Sequence, residues 1–220
     1  MSTRETYRHG DLRRALVKAG TALARKGGPG AVVLREATRR AGVTAAAAYR
    51  HFADHQALLD AVCAAAQGRV AAAIEAEQAK AAPADDAAAA AVARFRAVGS
   101  GYVGFARAEP NLFRTAFSQS QDLGGIDDPS RAGPSGKTPF RLLTSALDDL
   151  VVAGAMPPER RTGAEFLAWS AVHGLAMLAI DGPLRALDPK LTDTLTARVI
   201  DMVQDGLLIT PRPTRSSPAR

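Results

Sequence analysis

Three observations predict an all-α fold. Apolar residues recur at steps of three and four along most of the chain. Much of the 47% hydrophobic fraction is alanine, which favours helices strongly and fills little volume. No segment alternates with the period of two that a half-buried strand needs. At 220 residues the chain can bury a real core.

Residues 1–9 read as an arm bearing Arg4, Arg8 and His9. A first helix is predicted from a cap at Asp11 to Arg25, with Leu12, Ala15, Leu16, Ala19 and Leu23 as its buried stripe. Gly27-Gly28-Pro29-Gly30 stops it. A second helix covers 34–41 and a third 45–52. Asp54 caps a long fourth helix through Leu58, Leu59 and Val62 and past Ile74. After a break at Pro83 to Asp86, a fifth helix covers 87–107, with Phe95, Val98, Tyr102 and Phe105 on its apolar face. Pro110 interrupts it, and Leu112, Phe113, Ala116 and Phe117 form a short sixth. Residues 118–139 are rich in Gly, Pro, Ser and Asp and read as a mobile loop. Helices at about 139–153, 162–181 and 191–208 bring the total to about nine. The tail 211–220, rich in Pro, Ser and Arg, is predicted to be disordered.

Charge is unevenly spread. Residues 1–56 hold 11 of the 28 Lys/Arg but 4 of the 22 Asp/Glu, a net of +7, while the rest of the chain nets −1. The basic quarter therefore suits a polyanion partner. One cysteine excludes an intrachain disulfide, and no Cys/His spacing points to zinc or any other metal. No apolar run approaches the roughly 20 residues of a membrane span. No cofactor motif is present, and the polar, partly acidic N-terminus is unlike a signal peptide. A cytoplasmic protein without membrane contact is expected.

The basic quarter contains the run Ala41-Gly42-Val43-Thr44-Ala45-Ala46-Ala47-Ala48-Tyr49-Arg50-His51-Phe52. It reads as the turn and second helix of a helix-turn-helix. Gly42 permits the tight turn, Val43 plugs the crook, and Thr44 caps the third helix. At about 100° per residue, Ala48 and Phe52 share an inward stripe while Ala46 and Arg50 face out. An outward Arg reads a guanine edge or holds a phosphate, and Tyr49 contacts a thymine methyl or a phosphate. His51 and Thr44 are placed for phosphate, as are one or two of Arg35, Arg39 and Arg40. Four alanines leave few base-reading side chains, so DNA shape carries much of the specificity.

The span from about Gly10 to Val62 resembles the N-terminal domain of TetR-family transcriptional regulators. The likeness rests on Leu34-Arg35-Glu36, Ala41-Gly42-Val43-Thr44, Tyr49-Arg50-His51-Phe52 and Leu58-Leu59. Tyr102-Val103-Gly104-Phe105-Ala106 with Pro110, and Trp169-Ser170-Ala171-Val172-His173-Gly174, resemble the C-terminal variant named for its Trp and His-Gly. The resemblance implies a three-helix DNA-binding domain over 1–56, a larger helical ligand-binding and dimerisation domain over 57–210, and a homodimer built mainly by the last two helices. It implies DNA contacts by Thr44, Tyr49 and His51, with Ala46 and Arg50 near base edges; Ala45, which opens the same helix, belongs to this set. Val33 stands where the family has a capping Thr, Ala47 where Gly is common, and His55 where a Lys usually begins the fourth helix. Weaker or more pH-dependent DNA affinity is the expected result.

Eight of the eleven aromatic residues lie beyond residue 90. They suit a helical core and an apolar pocket alike. Tyr102, Phe105, Phe113, Phe117, Trp169 and His173 are the pocket candidates. Leu195, Val199, Met202, Val203 and Leu207 share a stripe on the last helix, fit for intrachain packing or for a symmetric dimer. Leu175 and Leu178 on the preceding helix are counted with the dimer surface.

The reading that follows is a repressor that binds a palindromic operator as a homodimer and is released by a small, largely apolar ligand. The alternative is an activator or protein-partnered regulator of the same fold. An enzyme is not expected: Ser170, His173 and Asp181 invite a triad, but Ser170 and His173 share a helix without an oxyanion turn. Cys63 has no partner cysteine, and its apolar setting favours packing.

Overall fold

The computed structural model describes residues 9–81, 86–119 and 125–208. Among them are nine α-helices and no strand: α1 (His9–Gly27), α2 (Leu34–Ala41), α3 (Ala45–Tyr49), α4 (His55–Gln78), α5 (Ala87–Ala108), α6 (Pro110–Ala116), α7 (Pro139–Val152), α8 (Ala164–Ile180) and α9 (Pro189–Leu208). Of the arm expected at 1–9, residues 1–8 lie outside the described residues and His9 opens α1; the tail at 211–220 also lies outside them.

The helix ends follow local chemistry. Asp54 accepts the Ala57 N–H at 2.8 Å to start α4, and Asp86 accepts those of Ala88 and Ala89 to start α5. Thr138 does the same for α7, accepting the Arg141 N–H at 3.2 Å. Pro110 ends the α5 run and opens α6 at its first turn, where its missing N–H costs nothing.

The core is one continuous cluster from Leu12 on α1 to Leu207 on α9. Its axis is α4, which packs on α1, α5, α6 and α7. Helices α4 and α5 approach closely at Gly101, where a Cβ would lie 2.7 Å from Ile74 Cα. Only glycine permits that spacing. The long stripe of α4 (Leu58, Leu59, Val62, Val70 and Ile74 among others) is buried.

Four expectations are corrected. Helix α1 starts at His9, so Asp11 is inside it and is not its cap. Helix α3 ends at Tyr49, which leaves Arg50 at its C-cap and His51 in the following turn. Residues 125–138, read as mobile, are folded onto α4: Pro129–Arg131 form a 3₁₀ turn against it, and the Ser135 hydroxyl donates to Glu75 at 2.8 Å. Proline and glycine break helical periodicity without preventing side chains from docking. Finally, α4 is long and apolar enough to cross a membrane by length and composition, contrary to the hydropathy reading. Its apolar residues serve the protein's own core instead.

Candidate nucleic-acid interface and ligand cavity

The turn between α2 and α3 is built by Gly42, whose φ of 69° and ψ of 31° place it in the left-handed region. Its own N–H and that of Val43 close onto the Arg39 and Thr38 carbonyls at 3.4 and 3.1 Å. Thr44 then caps α3 by accepting the Ala47 N–H at 3.2 Å. Ala48 is fully buried and Phe52 is 2% exposed, with the Arg13 guanidinium 5.0 Å above the Phe52 ring. Inward anchoring at Ala48 and Phe52 turns Thr44, Ala45, Ala46, Tyr49 and Arg50 outward as one exposed face. Tyr49 is 58% exposed, an unusual state for a large ring without a partner surface.

The cations divide into two groups. Arg35 and Arg50 are exposed and make no ion pair among the described residues. Arg39 and Arg40 both reach Glu36, at 2.7 and 2.9 Å. These bonds, Arg39's first, hold the Glu36 carboxyl at about 2. Val33, at the N-cap of α2, offers no side-chain hydrogen bond and is exposed. His55 Nε2 contacts the Val32 carbonyl at 2.5 Å, tying the start of α4 to the lead-in of α2.

Helices α4, α5, α7, α8 and α9 surround a cavity of about 470 Å³. Ile74, Phe95, Phe140, Leu143, Ile200 and Val203 make much of its apolar wall. Of the predicted pocket residues, Tyr102, Phe117, Trp169 and His173 line it. Phe105 and Phe113 do not. Phe113 is fully buried behind the wall, its ring edge-on to Tyr102 at 5.1 Å.

Three of the polar wall groups are interlocked. Trp169 Nε1–H donates to Tyr102 Oη at 3.1 Å, and Tyr102 Oη lies 2.8 Å from His173 Nδ1. Indole can only donate, so Tyr102 Oη is the acceptor of the Trp169 bond. Burial holds the imidazole pKa below its usual value, so the ring is neutral. Burial likewise pushes the Tyr102 phenol up, which keeps its proton in place.

Helix α6 links the cavity to the helix-turn-helix domain, alongside α4, which lines the cavity and packs on α1. Ala116 of α6 and the adjoining Phe117 line the cavity. At the other end of α6, Asn111 Nδ2 donates to the Arg25 and Lys26 carbonyls at 3.1 and 3.0 Å, closing the C-terminus of α1. Arg25 also pairs with Glu109 at 2.9 Å. Arg114 fastens the same helix to α8 by pairing with Asp181. Asp181 is thus part of an ion pair rather than a partner of Ser170 and His173.

Residues 16–62 match the family model described as bacterial regulatory proteins of the tetR family. Residues 95–203 match that of the tetracyclin repressor-like C-terminal domain. The chain belongs to the TetR family. A structure of a protein of unknown function from Rhodococcus sp. RHA1 is 29% identical, with a TM-score of 0.70, covering 94% of this chain and 100% of that one. A protein assigned to the TetR family from Vibrio parahaemolyticus is 20% identical, with a TM-score of 0.60, over 91% and 100% of the two chains. Another from Shewanella sp. PV-4 is 14% identical, with a TM-score of 0.60, over 90% and 99%. The last two likenesses concern the fold. No curated protein matches the chain.

The dimer candidates of this TetR-family chain separate by position. Leu178 and Met202 are 44% and 63% exposed, and Leu195 and Val199 are half-buried. Leu175 is buried within its own chain, and Val203 faces the cavity. Exposed Leu167 and Gly174 extend the apolar strip of α8 beyond the residues predicted. Sequence reasoning also missed Gln67 and Arg131 in the cavity wall and Asn111 at the α1–α6 joint. Gln67 had a signal: it is a polar residue on the buried stripe of α4. Arg131 had none, because it lies in an aperiodic segment.

Proposed function

We propose that this TetR-family chain is a transcriptional repressor that binds a palindromic operator as a homodimer and is released by a small, largely apolar effector. Residues 1–56 act as the DNA-reading domain and 57–210 as the effector and dimerisation domain, of the variant named for Trp169 and His173-Gly174. The observation that carries the reading is α6. It borders an apolar cavity at one end and holds the C-terminus of α1 at the other. An occupant that shifts α6 therefore shifts the helix-turn-helix.

On duplex DNA, Tyr49 and Arg50 meet base edges while Thr44, His51 and Arg35 hold phosphates. Arg39 joins them once DNA competes for its bond to Glu36. Ala45 and Ala46 bring the backbone of α3 close to the groove. Leu178 and Met202, with Leu195 and Val199, form the dimer face, which sets two copies of α3 about 34–36 Å apart.

Selection of bound duplexes from a random library tests this reading, with a Tyr49→Ala/Arg50→Ala double variant as control. A palindrome recovered by the wild type and lost in the control is the expected result. General, salt-sensitive binding without a motif sinks it. A Leu178→Glu/Met202→Glu variant is expected to sediment as a monomer, while an unchanged dimer would place the interface elsewhere.

A further inference from the structure

Tyr102, Trp169 and His173 all line the cavity, and their hydrogen bonds leave one ring nitrogen over. Trp169 Nε1 is spent on Tyr102 Oη, and Tyr102 Oη is shared with His173 Nδ1. His173 Nε2 makes no hydrogen bond among the described residues, and it is not sealed off from open space. The imidazole is also held in place. The ring centroids of Phe117, Phe113 and Trp169 lie 5.3, 5.7 and 6.0 Å from its own, and the Tyr102 bond fixes its Nδ1 edge at 2.8 Å. Fixing one nitrogen aims the other. Phe140 extends the aromatic wall, edge-on to Trp169 at 6.0 Å. A neutral imidazole carries one proton, so Nε2 donates in one tautomer and accepts in the other. A hydroxyl answers both, because it donates and accepts.

We propose that the effector is a ring-bearing apolar molecule with a hydroxyl group, seated with that hydroxyl on His173 Nε2. This rests on the cavity being the effector site and adds the chemical class of its occupant. An apolar body gains from leaving water for a wall of Phe95, Phe140, Leu143 and Ile200. The hydroxyl replaces the water that Nε2 gives up when the cavity fills. An occupant of the same shape without a hydroxyl strips that water and leaves the nitrogen unpaired, which is the costlier outcome. His173 is therefore the residue that sets which apolar molecules are accepted.

Two probes of nearly one shape test this, 1-naphthol and 1-methylnaphthalene, in which a methyl stands for the hydroxyl. Each would displace the fluorescent reporter N-phenyl-1-naphthylamine from the full chain, and the ratio of their dissociation constants is read. Hydration of the free probes is the same in every titration, so it cancels when ratios are compared between variants. His173→Gln places an amide at about the reach of Nε2. His173→Asn places one at about the reach of Nδ1, which keeps a partner for Tyr102 and offers none at Nε2. The proposal expects the ratio to turn against 1-naphthol by about three- to tenfold in His173→Asn, the range of one neutral hydrogen bond. His173→Phe, which keeps a ring and removes both nitrogens, is expected to match Asn, and His173→Gln to stay near the wild type. A merely structural role for His173 would weaken both probes alike and leave the ratio unmoved. An unmoved ratio in Asn and Phe, or an equal change in all three variants, overturns the proposal. Ala168→Phe, which fills the cavity from α8, decides how far such a failure reaches. If it blocks both probes, only the hydroxyl assignment falls. If it blocks neither, the cavity is not the binding site and the effector reading falls with it.

Discussion

Alanine placed at Gly101 and at Gly104 should change stability in opposite directions. The two positions lie one turn apart on α5. At either, alanine gains about 0.8–1 kcal/mol of helix propensity. At Gly104 the new methyl meets nothing within 4 Å. The gain stands, and Gly104→Ala should be more stable by about 0.5–1 kcal/mol. At Gly101 the methyl would lie 2.7 Å from Ile74 Cα and 3.0 Å from the Ala73 carbonyl oxygen. Both are backbone atoms, so no side chain can swing away and the two helices must part. Overpacking of this kind costs about 1–3 kcal/mol. Propensity contributes equally to both variants, so their difference isolates the clash and should be about 1–3 kcal/mol. Urea unfolding of the full chain measures it from the shift in midpoint at constant slope. Because α4 and α5 both wall the cavity, Gly101→Ala should also weaken probe binding, and Gly104→Ala should not. Equal stabilisation of both variants would refute the close approach of α4 and α5.

Two further outcomes follow. Tyr102→Phe removes one hydroxyl that serves both Trp169 and His173, and is expected to cost about 1–3 kcal/mol. For a chain of this size that is a fall of several degrees in melting temperature, about 2–4 °C per kcal/mol, and an unchanged melt refutes the relay. Glu36→Gln releases Arg39 and Arg40, so DNA binding should tighten at low salt and its salt dependence should steepen by about one unit of slope, read from titrations at several ionic strengths. The folded-state carboxyl sits at about 2, below its ordinary 4.5, so the pair's support is complete above about 4.5 and is lost as pH falls towards 2. Acid unfolding curves should show that limb in the wild type and lack it in the Gln variant.

The fold was legible because its helices announce themselves locally. Asp54 was readable as a cap, Pro83 to Asp86 as a break, Pro110 as an interruption, and Gly42-Val43-Thr44 as a turn, since each acts on backbone within a few residues. The outward and inward sides of α3 followed from the angle per residue alone. The cavity was less accessible. Tyr102, Phe117, Trp169 and His173 could be proposed from type and spacing, but nothing local distinguishes Phe113 behind the wall from Phe117 in it. They lie four residues apart and differ in which neighbouring helix covers them. Leu175 and Leu178 divide in the same manner, three residues apart on α8, one inside and one out. The contact of His55 with the Val32 carbonyl was not legible, because it is set by the crossing of two elements 23 residues apart. Arg131 was invisible because its placement depends on how an irregular segment docks.

The continuity of α4 has a geometric consequence. Its 24 residues make a rod about 36 Å long that begins beside α3 and ends beyond the cavity. A tilt of about 5° pivoting at the far end would sweep the near end through about 3 Å, close to the 3.4 Å rise of one base pair. In the proposed homodimer the two sweeps would add. In that proposed assembly, a lever of this length would turn a wall displacement smaller than a methyl group into a full-step mismatch between two reading heads and their half-sites.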